Sequence, residues 1–455
     1  MLFIKLFFNV QFYYLKTLFI KQNRQSDLAF ASEYLLNENS SIYRLSAIEK
    51  NKPHISLKVT LRILKRLFGK QIIQYQNKNG ELVLIDEVNT NESEKRISFI
   101  EKVTNQKVHT FLSKEELVQY NLNLCFKVLV LFIIGINLFW LFPICLFSKK
   151  RMHYAQYLYF ITESFLSIYF ILKSGSTKVV MSCIYSQDSN INYILFKKFN
   201  IDVIKNPSED ALAFDNQILL ADGLIICNPY QIEEVKILQY VKIKYLINGL
   251  GEQALEYENK YRNFIVSDNN VIGYYSSGSW LRKQQSMNYT HQGIDCAEQE
   301  EDLLIKLKNF LNENTNFKLR IFLHPVEKRN GETIEKVKCY LQSILGSLSY
   351  DFADFITPTC LNFEACNVAI SLFSGSSLYR LNFGYKSLYY SPINSFKDFP
   401  FKNTTLQNIN IGNTDFNLFL LEVLNFSEPQ FFKIYNLENY LYSKQLNKIG
   451  TLEAA

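Results

Sequence analysis

A histidine follows an apolar segment in the second half of the chain, at a position suited to holding an anion. Residues 318–323 are mostly apolar and lead directly into His324 and Pro325. Because proline has no backbone N–H donor and restricts the chain, this pair predicts that a buried strand ends at the histidine. An imidazole at a strand end can donate a hydrogen bond to a ligand beyond the sheet.

A serine-rich turn follows a second apolar segment further along the chain. Residues 367–373 lead into the sequence Ser374, Gly375, Ser376 and Ser377, after which large apolar residues recur at helical spacing. Hydroxyls and backbone amides at a helix start are favourable partners for a negative group. Ligands of open α/β sheets bind beyond the carboxyl ends of strands, so the histidine and this turn are predicted neighbours at one crevice.

A second serine-containing loop precedes both motifs. Residues 271–275 predict a strand, which ends in Ser276, Ser277 and Gly278. The backbone amides of such a loop could cradle a phosphate or a ribose, and the alternative is a plain turn. Arg282 and Lys283 follow the loop and either add positive charge to the same anion or lie on the surface.

Short apolar runs alternate with helical patterns from residue 177 onward, which predicts parallel sheets covered by helices. The strongest helical pattern covers residues 298–311, and the polar break at 266–270 predicts a hinge between two α/β domains. The predicted division is an N-terminal accessory region (1–120), a hydrophobic segment (121–150), a first domain (151–268), a second domain (269–400) and helical closing elements (401–455) that cross back to the first domain.

Composition narrows the classes of function. The chain of 455 residues has a formal net charge of +6, and its basic residues are spread out, so a nucleic-acid partner is not expected. The eight cysteines form no CxxC pair and several lie in apolar runs. They are interpreted as reduced core residues of a cytosolic protein.

Residues 125–147 are mostly apolar and are followed by Lys149, Lys150 and Arg151. Their length suffices to span a bilayer, and the basic cluster would keep the following domain on the cytoplasmic side. A transmembrane helix, a monotopic helix and a buried core segment all stay open, because Lys127 interrupts the segment. The apolar and basic residues 1–8 lack a small-residue cleavage site, so they are interpreted as a soluble or membrane-surface helix.

Two successive α/β domains, a His-Pro pair at a strand end and a serine turn that opens a later helix resemble bacterial glycosyltransferases of the GT-B fold. Within these, the pattern is similar to the sialyltransferase-like families that act on surface polysaccharide and lipooligosaccharide. The resemblance covers about residues 150–400. It implies two Rossmann-like domains facing a cleft, with acceptor binding in the first domain and nucleotide-sugar binding in the second.

The resemblance also implies the activity and its partners. A sugar, with CMP-sialic acid among the candidate donors, moves onto a cell-surface polysaccharide or lipooligosaccharide precursor, so the partners are a nucleotide-sugar donor, a glycan or glycolipid acceptor and a membrane surface. The expected location is the cytoplasmic face of the cell membrane. No cofactor is implied, because the nucleotide sugar is a substrate. Transfer is expected to need no metal, because Asp351 and Asp354 are interpreted as loop residues rather than as a metal motif.

Site residues follow from the matching motifs. His324, with Pro325, and the serines of the 374–377 turn would bind the donor phosphate, with His324 also acting in catalysis by stabilising the leaving group. The families carry an acidic pair before a glycine as general base, but this chain has Asn248 before Gly249. Glu252 is the nearest carboxylate and is the predicted base, with Asp222 as a second candidate.

Two alternatives stay open. A teichoic-acid-type polyol-phosphate transferase resembles the same fold and would use a further histidine as base, for which His291 is the candidate. A non-catalytic scaffold of a polysaccharide assembly complex would explain the asparagine at position 248.

Overall fold

The fold is described by a computed structural model, most completely in the second half of the chain. The described residues are 2–19, 26–29, 31, 72–73, 82–86, 90–112, 118–119, 132, 135–136, 139, 161, 164–165, 167–169, 171–172, 175–181, 189–207, 218–238, 240–250, 269–284, 290–291, 294–356, 359–372, 374–391 and 404–442. The predicted base Glu252 and most of the hydrophobic segment 121–150 lie outside them.

Short strands and helices alternate along the chain. The strands are β1 (Ile72–Ile73), β2 (Leu82–Asp86), β3 (Val108–Leu112), β4 (Val118–Gln119), β5 (Lys178–Met181), β6 (Asp202–Lys205), β7 (Ile218–Leu220), β8 (Gly223–Ile226), β9 (Tyr240–Lys242), β10 (Tyr245–Asn248), β11 (Val271–Tyr275), β12 (Thr290–His291), β13 (Ile294–Asp295), β14 (Lys318–Phe322), β15 (Tyr350–Phe352), β16 (Val368–Ser371) and β17 (Lys386–Tyr389). The helices are α1 (Leu2–Phe19), α2 (Thr90–Thr104), α3 (Ser189–Lys197), α4 (Tyr230–Ile237), α5 (Ser279–Gln284), α6 (Cys296–Glu313), α7 (Gly331–Leu345), α8 (Gly375–Asn382), α9 (Phe416–Asn425) and α10 (Glu428–Ile434).

The first sheet has six parallel strands in the order β10-β8-β6-β5-β2-β3. Its inner strands β5, β6 and β8 are nearly continuous buried runs, as expected for parallel strands covered on both faces. Strands β2 and β3 belong to this sheet, although the sequence analysis assigned residues 1–120 to an accessory region outside it. The apolar sequence of β2 suits a strand with neighbours on both sides.

The second sheet has five parallel strands in the order β15-β14-β11-β16-β17. Every residue of β11, β16 and β17 is buried. The predicted α/β fold class with two parallel sheets is therefore confirmed. The helix predicted at residues 298–311 is confirmed as α6.

The C-terminal elements connect the two sheets. Tyr440 Oη donates to Glu233 Oε2 at 2.8 Å, and Tyr442 Oη donates to Asn228 Oδ1 at 3.0 Å, so the last described residues reach the first sheet and α4. Buried residues of both sheets also belong to one apolar cluster, which includes Ile226 and Tyr275. The closing elements therefore contact the first sheet, as the sequence analysis expected of them.

Two buried cations fix the second sheet to its surroundings. Arg380 on α8 is fully buried and donates to four backbone carbonyl groups, those of Phe363, Cys366, Asn367 and Lys386. Lys386 Nζ donates to Val423 O at 3.0 Å and to Phe426 O at 2.6 Å, where α9 ends. A cation at a helix C-terminus is favourable because the last carbonyls lack intrahelical donors.

None of the helices in the described part of the chain is long and apolar enough to cross a bilayer.

Candidate functional site

The predicted anion-binding motifs leave the second sheet at one edge. Strands β14, β11 and β16 are adjacent and parallel, with Tyr275 aligned to Phe322 and Tyr274 aligned to Ile370. His324, the loop after β11 and the turn after β16 therefore emerge at the same side. Neighbouring strands lie about 4.8 Å apart, so the outer two of these three ends are separated by about 10 Å, the scale of a nucleotide rather than of a single phosphate.

The ring of His324 is oriented by its own turn. Val326 N donates to His324 Nδ1 at 3.1 Å, so Nδ1 is an acceptor and the neutral ring carries its proton on Nε2. The backbone of the turn is closed by a 2.8 Å bond from Glu327 N to His324 O. Pro325 is exposed within this turn. The Nε2–H donor is thereby fixed in direction by the backbone.

Arg282 brings a second donor to the same place. Its Nη1 donates to Ser277 O at 3.1 Å, and its Nη2 lies 3.4 Å from His324 Nε2. Guanidinium nitrogens only donate, and Nε2 carries a proton, so this contact joins two donors and is not a hydrogen bond. An acceptor oxygen placed between Arg282 and His324 would accept a hydrogen bond from each. Lys283, the other predicted cation, is exposed and lies 3.7 Å from Glu298.

Burial, as the largest cause, and the positive charges of Arg282, Arg329 and Lys328 together lower the pKa of His324 to about 3. The imidazole is therefore neutral at physiological pH. It can donate a hydrogen bond to an anion, while the positive charge comes from its neighbours. Because its ring is neutral, His324 can stabilise an anion by donating a hydrogen bond but not by carrying a positive charge.

A buried carboxylate fills the loop after β11. Glu300 on α6 is buried, and its two oxygens accept from Tyr274 Oη (2.6 Å), Ser276 Oγ (3.3 Å), Ser277 N (2.8 Å), Ser277 Oγ (2.9 Å), Ser279 N (3.1 Å) and Trp280 N (3.3 Å). The remaining amide, Gly278 N, donates to Ser276 Oγ at 3.0 Å. The loop amides predicted to cradle a phosphate thus already bind a carboxylate of the chain itself.

Gly278 allows this loop to pack against the histidine turn. Its φ of +67° is one that residues with a side chain rarely adopt, and a Cβ built there would lie 2.7 Å from Val326 Cγ1 and 3.3 Å from His324 Cβ. The loop therefore has a positioning role, because it holds His324 and Arg282 side by side.

Glu327 supports the same turn from beneath. Its Oε2 accepts from His324 N at 2.8 Å, and its side chain is buried. Burial, as the largest cause, and the nearby charge of Glu300 raise the pKa of Glu327 to about 8, against hydrogen bonds from His324 N and Ser276 and the charge of Arg282. Glu327 is therefore protonated over much of the neutral range and can bind the turn without adding full negative charge to the site.

The turn after β16 is open by contrast. Ser374 is the N-cap of α8, yet its side chain makes no capping bond, and Gly375 is exposed with nothing within 4 Å of an added Cβ. Within the described residues, no acceptor meets the amides of Gly375 and Ser376. Ser377 is buried, and its Oγ lies 2.9 Å from Ser371 Oγ, so its hydroxyl stabilises the turn. Two amides and two half-buried hydroxyls remain at the positive end of a helix.

Asp222, the second candidate for the general base, lies apart from these groups. Asp222 is buried and bound by Lys197 Nζ at 3.0 Å and Lys244 Nζ at 2.6 Å. Burial opposes ionisation of Asp222, but hydrogen bonds from Lys244, Val203 N and Lys197 outweigh it and lower the pKa. Because Asp222 precedes β8, it lies at the amino edge of the first sheet, away from the ligand edge, and its candidacy as base is wrong.

Asn248 ends β10 at the ligand edge, and its Oδ1 accepts from Leu250 N at 3.0 Å. It therefore performs a local capping role that explains a short polar side chain there. Glu252 lies just beyond the described residues, and its role stays a prediction. The backbone of His291 pairs with Ile294 in a small hairpin.

Two acidic residues of the site were missed by sequence reasoning, and Arg282 was only one of two cations considered. Glu300 occupies the same face of α6 as Cys296, Leu303 and Leu307, which are all buried. A carboxylate at an apolar-face position is the signal that could have revealed it. The sequence around Glu327 contains no such signal.

A separate ion pair accounts for one acidic residue considered for metal binding. Arg320 donates to both carboxylate oxygens of Asp351, at 2.8 and 2.6 Å. Among the residues that the structure describes, no group of three or more His, Cys, Asp or Glu side chains could hold a metal ion.

Comparison with known proteins identifies similar structures but no family. No family model and no curated protein sequence matches the chain. A structure described as a UDP-N-acetylglucosamine 2-epimerase from Listeria monocytogenes is 11% identical over 82% of this chain and 95% of its own, with a TM-score of 0.44. An O-GlcNAc transferase from Thermobaculum terrenum is 10% identical over 94% and 74%, with a TM-score of 0.43.

A third structure, the UDP-GlcNAc 2-epimerase from Neisseria meningitidis bound to UDP-GlcNAc, is 10% identical over 81% of this chain and 99% of its own, with a TM-score of 0.40. Identities and TM-scores this low carry no information on activity. The chemistry of the site therefore has to be inferred from the side chains around His324.

Proposed function

We propose that the chain is a glycosyltransferase of the GT-B type that uses a nucleotide-sugar donor, with the donor phosphate bound between His324 and Arg282. The observation that carries this proposal is the 3.4 Å contact of two donors, His324 Nε2–H and Arg282 Nη2, at the ligand edge of the second sheet. Such a pair is favourable when an anionic acceptor bridges it, and a phosphate oxygen provides that acceptor.

Sugar transfer requires stabilisation of the departing nucleotide. When the bond from the sugar to the phosphate oxygen breaks, negative charge develops on the phosphate. His324 would donate Nε2–H to that charge, Arg282 would add a positive charge, and the amides of Gly375 and Ser376 would bind a second phosphate oxygen from the open turn. Removing one such preorganised donor typically lowers kcat by about 10² to 10³.

Acceptor activation belongs to the first sheet in this proposal. Glu252, four residues after the end of β10, is the proposed base that removes the proton of the acceptor hydroxyl. The acceptor is a glycan or glycolipid precursor of a cell-surface polysaccharide or lipooligosaccharide, reached at the cytoplasmic face of the membrane, and a CMP-sialic acid is one candidate donor. Transfer without a metal is consistent with the cations already placed near His324, namely Arg282, Lys328 and Arg329.

Calorimetric titration with CMP, CDP, UDP and GDP tests the proposal. One nucleotide should bind, and His324→Ala and Arg282→Gln should each weaken it by about 10- to 100-fold, the range for a lost hydrogen bond to a charged group. Lys283→Gln is the matched control, because that neighbouring cation is exposed and lies near Glu298. Binding that is unaffected by both site variants, or absent for all four nucleotides, would overturn the proposal.

One observation favours a second candidate, a non-catalytic scaffold. Asn248 stands where the glycosyltransferase families that the sequence resembles carry an acid, and its side chain is engaged in a local cap. A scaffold would bind the nucleotide sugar with the same dependence on His324 and would never consume it. An enzyme should consume the donor in the presence of membrane glycolipid extract. Glu252→Gln should lose this consumption and retain its nucleotide affinity, and that result would distinguish the enzyme from the scaffold.

A further inference from the structure

The N-terminal helix α1 exposes an apolar stripe. Ile4, Phe8 and Phe12 are 60%, 64% and 56% exposed, and they recur every four residues, so they lie along one face. Their Cα atoms span about 12 Å along the helix axis. Exposed large apolar side chains arranged contiguously mark an interaction surface more often than isolated ones do.

The opposite face of α1 is fixed to the body of the protein. Leu6, Val10 and Tyr14 are fully buried in the core of the first sheet. Tyr14 Oη lies 2.7 Å from Ser164 Oγ. Because this face cannot leave the core without exposing it, α1 cannot insert across a membrane, and only its outer stripe is available to a partner.

The charges of α1 have one sign. Its 18 residues include Lys5 and Lys16 and no aspartate or glutamate. Lys16 Nζ lies 5.7 Å from the ring centroid of the exposed Phe12, and the Nζ of Lys198, just after α3, lies 5.7 Å from the ring centroid of the half-buried Tyr13. A basic helix with exposed aromatic side chains is the pattern of a helix that lies at a membrane interface, where basic groups meet anionic headgroups.

We propose that the outer face of α1 binds the surface of a bilayer that contains anionic lipids. Ile4, Phe8 and Phe12 enter the boundary between headgroups and acyl chains, and Lys5 and Lys16 contact the headgroups. This inference goes beyond the proposed transfer reaction and does not depend on the chemistry at His324. A second copy of the chain is the competing occupant, but two like-charged copies of this face would repel each other.

Co-sedimentation of the full chain with vesicles tests the proposal. The wild type should bind vesicles of phosphatidylcholine with phosphatidylglycerol and bind phosphatidylcholine alone more weakly. The triple variant Ile4→Ser, Phe8→Ser, Phe12→Ser should lose roughly tenfold or more of the partitioning. The matched control is Leu418→Ser, Leu421→Ser, Ile434→Ser, which removes three exposed apolar side chains from α9 and α10. That control should bind vesicles as the wild type does.

Three results would overturn the proposal. They are failure of the wild type to bind anionic vesicles, equal loss in both triple variants, and a wild-type dimer in gel filtration that the α1 variant converts to monomer. Circular dichroism confirms that each variant is folded. The nucleotide affinity of the α1 variant should equal that of the wild type, so a failure of the membrane contact and a failure of the proposed transfer reaction are told apart.

Discussion

Two serine-rich turns leave adjacent strands of the second sheet, and their sequences resemble each other closely. The turn after β11 contains Ser276, Ser277 and Gly278, and the turn after β16 contains Ser374 and Gly375 with further serines. Only the first turn is occupied by a side chain of the protein, because Glu300 accepts hydrogen bonds from its amides and hydroxyls. The second has an N-cap that makes no capping bond and an exposed glycine.

The difference shows that a residue distant in sequence decides whether a turn is structural or available to a ligand. Glu300 lies on α6, more than one element beyond the loop that it fills. The closed turn positions Arg282 and His324, and the open turn keeps its donors for a phosphate.

Removal of the internal anion should have the largest effect. Glu300→Ala leaves up to six buried donors without their acceptor, and we expect a loss of about 3–5 kcal/mol in the free energy of unfolding, measured by urea denaturation. Glu301→Ala, which removes the exposed carboxylate next to it, should change stability by less than about 0.5 kcal/mol. Equal effects of the two substitutions would contradict the closed-turn interpretation.

The buried acid beneath the histidine turn should make stability depend on pH. Because the pKa of Glu327 is raised from 4.5 to about 8 in the folded chain, the unfolded chain releases its proton first, and stability falls as pH rises from about 4.5 to about 8. The slope approaches about 1.4 kcal/mol per pH unit in mid-range. In Glu327→Gln, which keeps an acceptor for His324 N, this component should vanish from the pH dependence. Parallel curves for the two proteins would contradict it.

The glycines of the two turns should respond differently to the same substitution. Gly278→Ala places a Cβ at a positive φ and against Val326, and should cost about 1–3 kcal/mol of stability. Gly375→Ala meets open space, and should be neutral or stabilise by up to about 1 kcal/mol. Thermal denaturation of both variants measures the contrast. A larger loss in Gly375→Ala would mean that the open turn is the strained one.

The hydroxyls of the open turn should have the smallest effect. Ser374→Ala with Ser376→Ala should weaken nucleotide binding by about three- to tenfold, since hydroxyls add to amides that remain. Stability should change little, because Ser374 makes no capping bond. Ser276→Ala with Ser277→Ala is the paired control and should lower stability more than affinity. Calorimetry and urea denaturation of both double variants give the comparison.

The elements of the second half of the chain were accessible from sequence because their patterns are long or sharply bounded. The apolar face of α6 and the His-Pro pair after β14 each predicted their element. Strands β2 and β3 were not recognised as part of the first sheet. They pair with each other and join the sheet only through β5, which comes after a long intervening stretch. Pairing between distant segments leaves little trace in a local pattern.

The placement of the motifs could be predicted where a motif ends a strand, and it could not be predicted where side-chain packing decides. The sequence predicted that His324 and the two serine turns follow strands of one sheet. It did not predict that His324 is a neutral donor, since that depends on burial and on Arg282. Nor did it predict that the first turn is occupied, because Glu300 comes from another element. Both facts depend on side chains that tertiary structure brings together.

The most direct test of the central claim is a crystal structure of the chain with the nucleotide that binds best. We expect a phosphate oxygen at about 3 Å from both His324 Nε2 and an Arg282 nitrogen. A second oxygen should lie at the amides of Gly375 and Ser376, while Glu300 remains in the closed turn. A phosphate seated on the Ser276 loop with Glu300 displaced, or a nucleotide bound away from this edge of the second sheet, would contradict the account.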